Sequence, residues 1–206
     1  MPDPDAVIAS CREAHRRLFD TLAGLAGLDD DDLVRAPSVL PGWSRGHVLT
    51  HLARNADSHV RILDGAMRGE SLEQYAGGVE ERAAAIEAGA ARSAAELADD
   101  VRSAAARLED AWAAMTPEAW DGHGFARGRV WPCRGLPFLR WREVEVHHAD
   151  LGLGYEWPDD YLAHELPVAL DGLPTRLPAI DDRRRLLAWL LGRADQPAGL
   201  ALEPWQ

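Results

Sequence analysis

From Gly77–Gly78 to Thr116–Pro117 the chain carries one sustained helical pattern. Ile86, Ala90, Leu97, Val101, Leu108, Ala111 and Met115 fall on a single stripe at steps of three, four and seven. The residues between them are rich in Ala, Arg and Glu, which form helices readily. Pro117 ends the pattern. Read as one helix, it is on the order of 55 Å long. A rod of that kind has one apolar stripe to bury, and other helices supply the matching surface. The expectation is an up-down helical bundle.

Other stretches supply the partners. Between Asp5 and Leu25, the residues Val7, Ile8, Cys11, Ala14, Leu18, Leu22 and Leu25 form one stripe. Pro41-Gly42-Trp43-Ser44 reads as a turn followed by an N-cap, because the Ser44 hydroxyl can accept from an orphan amide of the next helix. That helix runs to about Met67, with Leu49, Leu52, Ala56, Val60, Leu63 and Met67 as its stripe. A fourth helix is expected within Leu136 to Leu153. Between Ala119 and Pro137 the sequence is Gly- and Pro-rich and reads as a long irregular loop that walls a pocket. No convincing β-hairpin is visible in the first 150 residues.

After Gly154 the character changes. Pro158, Pro167, Pro174, Pro178 and Pro197 break the segment, leaving short helices at about Asp160 to Leu173 and Asp182 to Gly192. The expected architecture is all-α: a four-helix bundle over 1–154 and a short C-terminal extension over 155–206 that packs on it, with room for a few short strands. With 206 residues, 47% of them hydrophobic, the chain can stock one substantial core. The formal net charge of -12 argues against nucleic acid and against an anionic membrane surface. It leaves room for a small anionic substrate held by a local arginine or a metal. Two cysteines, Cys11 and Cys133, are too few for a disulfide framework. MPDPDAVIAS lacks the basic and apolar regions of a signal peptide, and no stretch has transmembrane length, so a cytoplasmic protein is expected.

Chemistry concentrates in the fourth helix. Glu143 and His147 are four residues apart, so a helix puts both side chains on one face, one turn apart, where both can reach one divalent ion. His148 faces about 100° away. The best third ligand is His51, which lies beside the apolar stripe of the second helix; His47 with His51 is the next pair to consider. Two imidazoles and one carboxylate suit Zn²⁺ with an open position, and also Ni²⁺, Fe²⁺ or Co²⁺. Asn55, one turn after His51, is expected to line the same pocket. Arg82, just after Gly77–Gly78, is a candidate for binding a carboxylate.

Three stretches, LPGWSRGHVLTHLARNADSHVRIL, GGVEERAAAIEAGAARSAAELADDV and LPFLRWREVEVHHADLGLGY, together with a weaker LLAWLLGRA, resemble the mycothiol-dependent maleylpyruvate isomerase family of actinobacteria, within the DinB-like metal-binding four-helix bundles. That resemblance implies a metal held by a second-helix His and a fourth-helix E-x-x-x-H pair, which are His51, Glu143 and His147 here. It implies Zn²⁺ or another divalent metal and mycothiol as cofactors. The implied reaction is thiolate addition to maleylpyruvate, rotation about the bond and elimination to fumarylpyruvate. A mycothiol S-transferase acting on electrophiles and a non-catalytic metal-binding protein are the alternatives. The partners implied are small molecules, with a monomer or homodimer as the assembly. Longer relatives contribute an active-site arginine from a larger C-terminal domain. Arg140, Arg142 and Arg183 to Arg185 are the candidates for that role in this sequence.

Overall fold

The structure, a computed structural model, describes residues 4–26, 31–176 and 180–193. Four long helices make the frame: α1 (Pro4–Ala26), α3 (Arg45–Met67), α5 (Ala94–Ala114) and α7 (Leu136–Asp150). The short α2 (Asp32–Arg35) leads into α3, and α4 (Gly78–Gly89) precedes α5. Helix α1 packs on α5 and α7, and α3 packs on the same two, so the four close into a ring. This is a mostly α, DinB-like bundle.

The apolar stripe of α1 is the one its spacing predicts: Val7, Ile8, Cys11, Ala14, Leu18, Leu22 and Leu25 are all buried. Helix α3 behaves differently. Leu49, Leu52, Ala56 and Leu63 are buried as expected, but so are Val48, Ala53 and Ile62, while Met67 is exposed. The reason is its place in the ring. It touches α4, α5 and α7, and buries more than one face. Ser44 starts it as expected, accepting from the His47 amide at 3.4 Å, while His47 Nδ1 accepts from the Ser44 amide at 3.1 Å.

The long third helix is not one rod. It breaks into α4 and α5 between Gly89 and Ala94. Ser93 and Glu96 form a capping box, with the Ser93 amide donating to Glu96 Oε2 at 2.9 Å. Asp31 Oδ1 accepts from the Ala94 amide at 2.9 Å. A new helix start therefore has its orphan amides satisfied. The corner also presses on α3: a Cβ at Gly46 would sit 2.1 Å from the Ala90 carbonyl oxygen, so the approach admits only glycine there.

The expected irregular loop is also corrected. After α6 (Pro117–Trp120) come two antiparallel strands, β1 (His123–Ala126) and β2 (Arg129–Pro132), then a 3-10 turn, Cys133–Gly135, that feeds α7. The hairpin turns at Arg127 and Gly128, with φ of 51° and 71°, which suits a two-residue turn. It docks on the bundle: the Phe125 amide donates to the Leu72 carbonyl at 2.9 Å, and the Gln74 amide to the Phe125 carbonyl at 2.7 Å.

The chain divides into two compact units, 1–156 and 157–206. The described part of the second holds α8 (Asp159–Arg176) and α9 (Ile180–Leu190), and no strand among its described residues. Among the described residues no helix is long and apolar enough to cross a membrane.

Candidate metal centre

Helix α7 places Glu143 and His147 one turn apart, and α3 brings His51 against them from across the ring. His51 Nε2 lies 2.9 Å from Glu143 Oε2, and His147 Nε2 lies 3.5 Å from the same oxygen. The His51 and His147 rings meet edge to face, with centroids 4.6 Å apart. One donor atom from each residue falls within 4.8 Å of the others. Ligands of a tetrahedral ion at bonds of about 2.0–2.1 Å are roughly 3.3 Å apart. The two contacts to Glu143 bracket that spacing, so two nitrogens and one carboxylate oxygen fit a small divalent ion.

The site is sheltered but reachable. His51 is 4% exposed, His147 13% and Glu143 21%. Trp43, from the turn before α3, packs its ring edge-on to His51 with centroids 5.8 Å apart. The charges divide unevenly. Burial pushes His51 down to about 4, outweighing its hydrogen bond to Glu143. Burial also opposes the charge on His147, but hydrogen bonds to Asp150 and Glu143 raise it to about 9. Burial would raise Glu143, yet the hydrogen bonds from His147 and His51 hold it well below the usual carboxylate range. A carboxylate between one cationic and one neutral imidazole is the resulting arrangement.

Asp150 was not singled out by the sequence. Its Oδ2 accepts from His147 Nδ1 at 2.8 Å, which leaves Nε2 facing Glu143. The signal was present as His-x-x-Asp, three residues apart on a helix. Arg82 was singled out, and its Nη2 lies 3.1 Å from His51 Nδ1.

The remaining candidates have partners of their own. Asn55 and Arg140 are buried and pair with each other: Arg140 Nη1 donates to Asn55 Oδ1 and to the Leu52 carbonyl, each at 2.8 Å, and its Nε donates to His15 at 3.2 Å. Arg140 and Glu143 interact through charge. Arg142 lies over the Phe138 ring, 4.7 Å from its centroid. Arg184 and Arg185 are on α9, in the second unit. His47 is held by the α3 cap and reaches Glu87 at 3.2 Å, so it does not join the trio. Cys11 and Cys133 are buried, and burial pushes their thiols up to about 12 and about 11, which leaves neither as a ready thiolate.

A closed ring of four helices with two histidines and a glutamate converging from facing members is a DinB-like bundle with a candidate metal centre. Residues 11–152 match the model of the family described as the mycothiol maleylpyruvate isomerase N-terminal domain, and the chain belongs to that family. Two solved structures are similar, a mycothiol-dependent maleylpyruvate isomerase at 27% identity and a histidine-to-alanine variant of such an isomerase at 26%, each with a TM-score of 0.66. Each match covers 74% of this chain and 61% of the other, so this chain spans about three-fifths of their length. No curated protein matches the sequence.

Proposed function

We propose that this protein is a metal- and mycothiol-dependent isomerase that converts maleylpyruvate to fumarylpyruvate. The observation that carries the reading is the convergence of His51, Glu143 and His147, with His147 aimed by Asp150, in a chain of this family. These three side chains would hold one divalent ion, Zn²⁺ by the hardness and number of the donors. An ion there would lower the pKa of a thiol and keep it as the thiolate at neutral pH, which is the nucleophile such an isomerisation needs.

The chain's own residues do the rest. Glu143 supplies one negative charge, so a divalent ion keeps net positive charge toward an anionic sulfur. Asp150 fixes the proton of His147 on Nδ1 and keeps Nε2 turned inward. Trp43 packs against the His51 ring and steadies it beside the site. No nucleophile from the chain is required, which suits two cysteines with raised pKa values.

The test mixes the metal-loaded protein with mycothiol and maleylpyruvate, and separately with mycothiol and a generic electrophile. Fumarylpyruvate formation that depends on mycothiol and disappears in His51→Ala supports the isomerase. Consumption of the electrophile alone assigns the S-transferase instead. Full metal occupancy in both His51→Ala and Glu143→Ala would move the site elsewhere.

A further inference from the structure

We propose that Arg82 is a carboxylate clamp whose release is coupled to filling of the His51, Glu143 and His147 site; the proposal rests on the metal reading above. Arg82 lies in the second turn of α4, half-buried, with Nη2 3.1 Å from His51 Nδ1. A guanidinium has five N–H donors and no acceptor. His51 Nδ1 must therefore present its lone pair to Arg82. The other nitrogen, Nε2, sits 2.9 Å from the Glu143 carboxylate, an acceptor, and so carries the ring proton.

Coordination reverses both assignments. Nε2 is the nitrogen that faces Glu143 and His147, and an ion bound there takes its lone pair. The proton of the neutral ring must then sit on Nδ1, where it meets the N–H of Arg82. Two donors cannot form a hydrogen bond, and the guanidinium also faces added positive charge. A filled site and the Arg82 to His51 hydrogen bond exclude one another, so loading sets the guanidinium free at the edge of the site.

A freed guanidinium there has one obvious use. Its planar fork matches a carboxylate with two parallel hydrogen bonds. A second donor is close by: the Tyr75 hydroxyl is buried, with Ser58 and Arg82 beside it and the Glu143 carboxylate within electrostatic reach. The ligand class is a small carboxylate-bearing molecule whose reactive atom is near the ion while its acid group is held by Arg82 and Tyr75. Arg82 and Tyr75 are positioning residues in this scheme.

The experiment uses the full chain and three readouts. Cobalt(II) binding is measured by competition with a chromophoric chelator in wild type, Arg82→Ala and Tyr75→Phe. Arg82→Ala is expected to bind cobalt about tenfold more tightly, since no charged hydrogen bond has to break. Maleate is then added to the cobalt-loaded proteins and followed by the visible spectrum; its affinity should fall by about tenfold in Arg82→Ala, and less in Tyr75→Phe. The ¹⁵N signals of the His51 ring should report the proton on Nε2 before zinc is added and on Nδ1 afterwards.

Equal cobalt affinity in Arg82→Ala and wild type overturns the coupling. So does an Nδ1 proton already present before zinc. Unchanged maleate affinity in Arg82→Ala overturns the clamp. If neither protein takes up cobalt, the metal reading falls and the clamp with it. Intact coupling and maleate binding without turnover of maleylpyruvate leaves the clamp standing and removes only the isomerase.

Discussion

Helix α7 carries a carboxylate and a histidine on each of two faces, and the two pairs have different fates. On one face Glu143 and His147 meet His51, and their donor atoms converge with part of Glu143 open to solvent. On the other, Glu145 is fully buried and closed off by partners. It accepts from Arg17 Nη2 at 2.6 Å, Tyr155 Oη at 2.5 Å and Trp141 Nε1 at 3.1 Å. His148 Nε2 pairs with Thr21 Oγ1 at 2.8 Å, and its ring stacks on Tyr155 with centroids 3.6 Å apart. A cavity of about 320 Å³ opens beside this second face, lined by Thr21, His148 and Tyr155 among others. The same residue types on one helix thus give a convergent site and a structural network. What separates them is the partner. A guanidinium and two further donors saturate Glu145, whereas Glu143 faces two imidazoles whose inward N–H groups can each be exchanged for a bond to an ion.

Removing the carboxylate from each face should separate the two roles. Glu143→Ala is expected to lower metal affinity by more than about a hundredfold, since loss of a ligand exceeds the cost of losing a ligand's orienting partner. Metal analysis by equilibrium dialysis checks this, and the folded protein should survive. Glu145→Ala should instead cost roughly 3 kcal/mol of stability in a urea titration, because Arg17 and the Tyr155 hydroxyl lose a buried anionic acceptor. Metal uptake should persist in that variant. If Glu145→Ala strips the metal while Glu143→Ala leaves it bound, the two faces have been assigned the wrong way round.

Acid should act on the buried neutral histidines away from the trio. Burial pushes His59 down to about 3, with the Arg140 charge adding to it, and His148 down to about 4, with Arg17 adding to it. Each takes a proton near 6.5 in the unfolded chain. Between about 6.5 and these lower values the unfolded state binds more protons, so stability falls as pH drops through that window. The loss is on the order of a few kcal/mol for His59, which has no exposure and no hydrogen-bond partner at either ring nitrogen. His59→Phe should flatten the slope of urea midpoint against pH between 6.5 and 4 and leave stability at pH 7 within about 1.5 kcal/mol. An unchanged slope would show that His59 does not titrate in this way.

The smallest effect is expected at Asp150. Asp150→Asn keeps the shape but weakens the charged hydrogen bond that orients His147. Metal affinity should fall about tenfold with little change in stability. An affinity equal to wild type would mean that His147 is aimed by packing alone.

Much of this was legible along the chain, wherever local geometry sets the answer. The α1 stripe, the Ser44 cap and the shared face of Glu143 and His147 follow from 3.6 residues per turn and from the orphan amides of a helix start. His51 could be named as a third donor, but its meeting with Glu143 depends on α3 and α7 being neighbours across the ring. The break between α4 and α5 was hidden by a stripe that continues through it, although Ser93-x-x-Glu96 carried the capping signal. The hairpin escaped because its strands are only four residues long, too short for a period of two to stand out, and β1 is held by backbone contacts to Leu72 and Gln74. Only the tertiary structure decided which Glu and His pair on α7 was closed, and where Arg82 and Asn55 pointed. Spacing along a helix fixes a direction, whereas the group waiting in that direction comes from residues far away in sequence, brought there by the packing of the whole bundle.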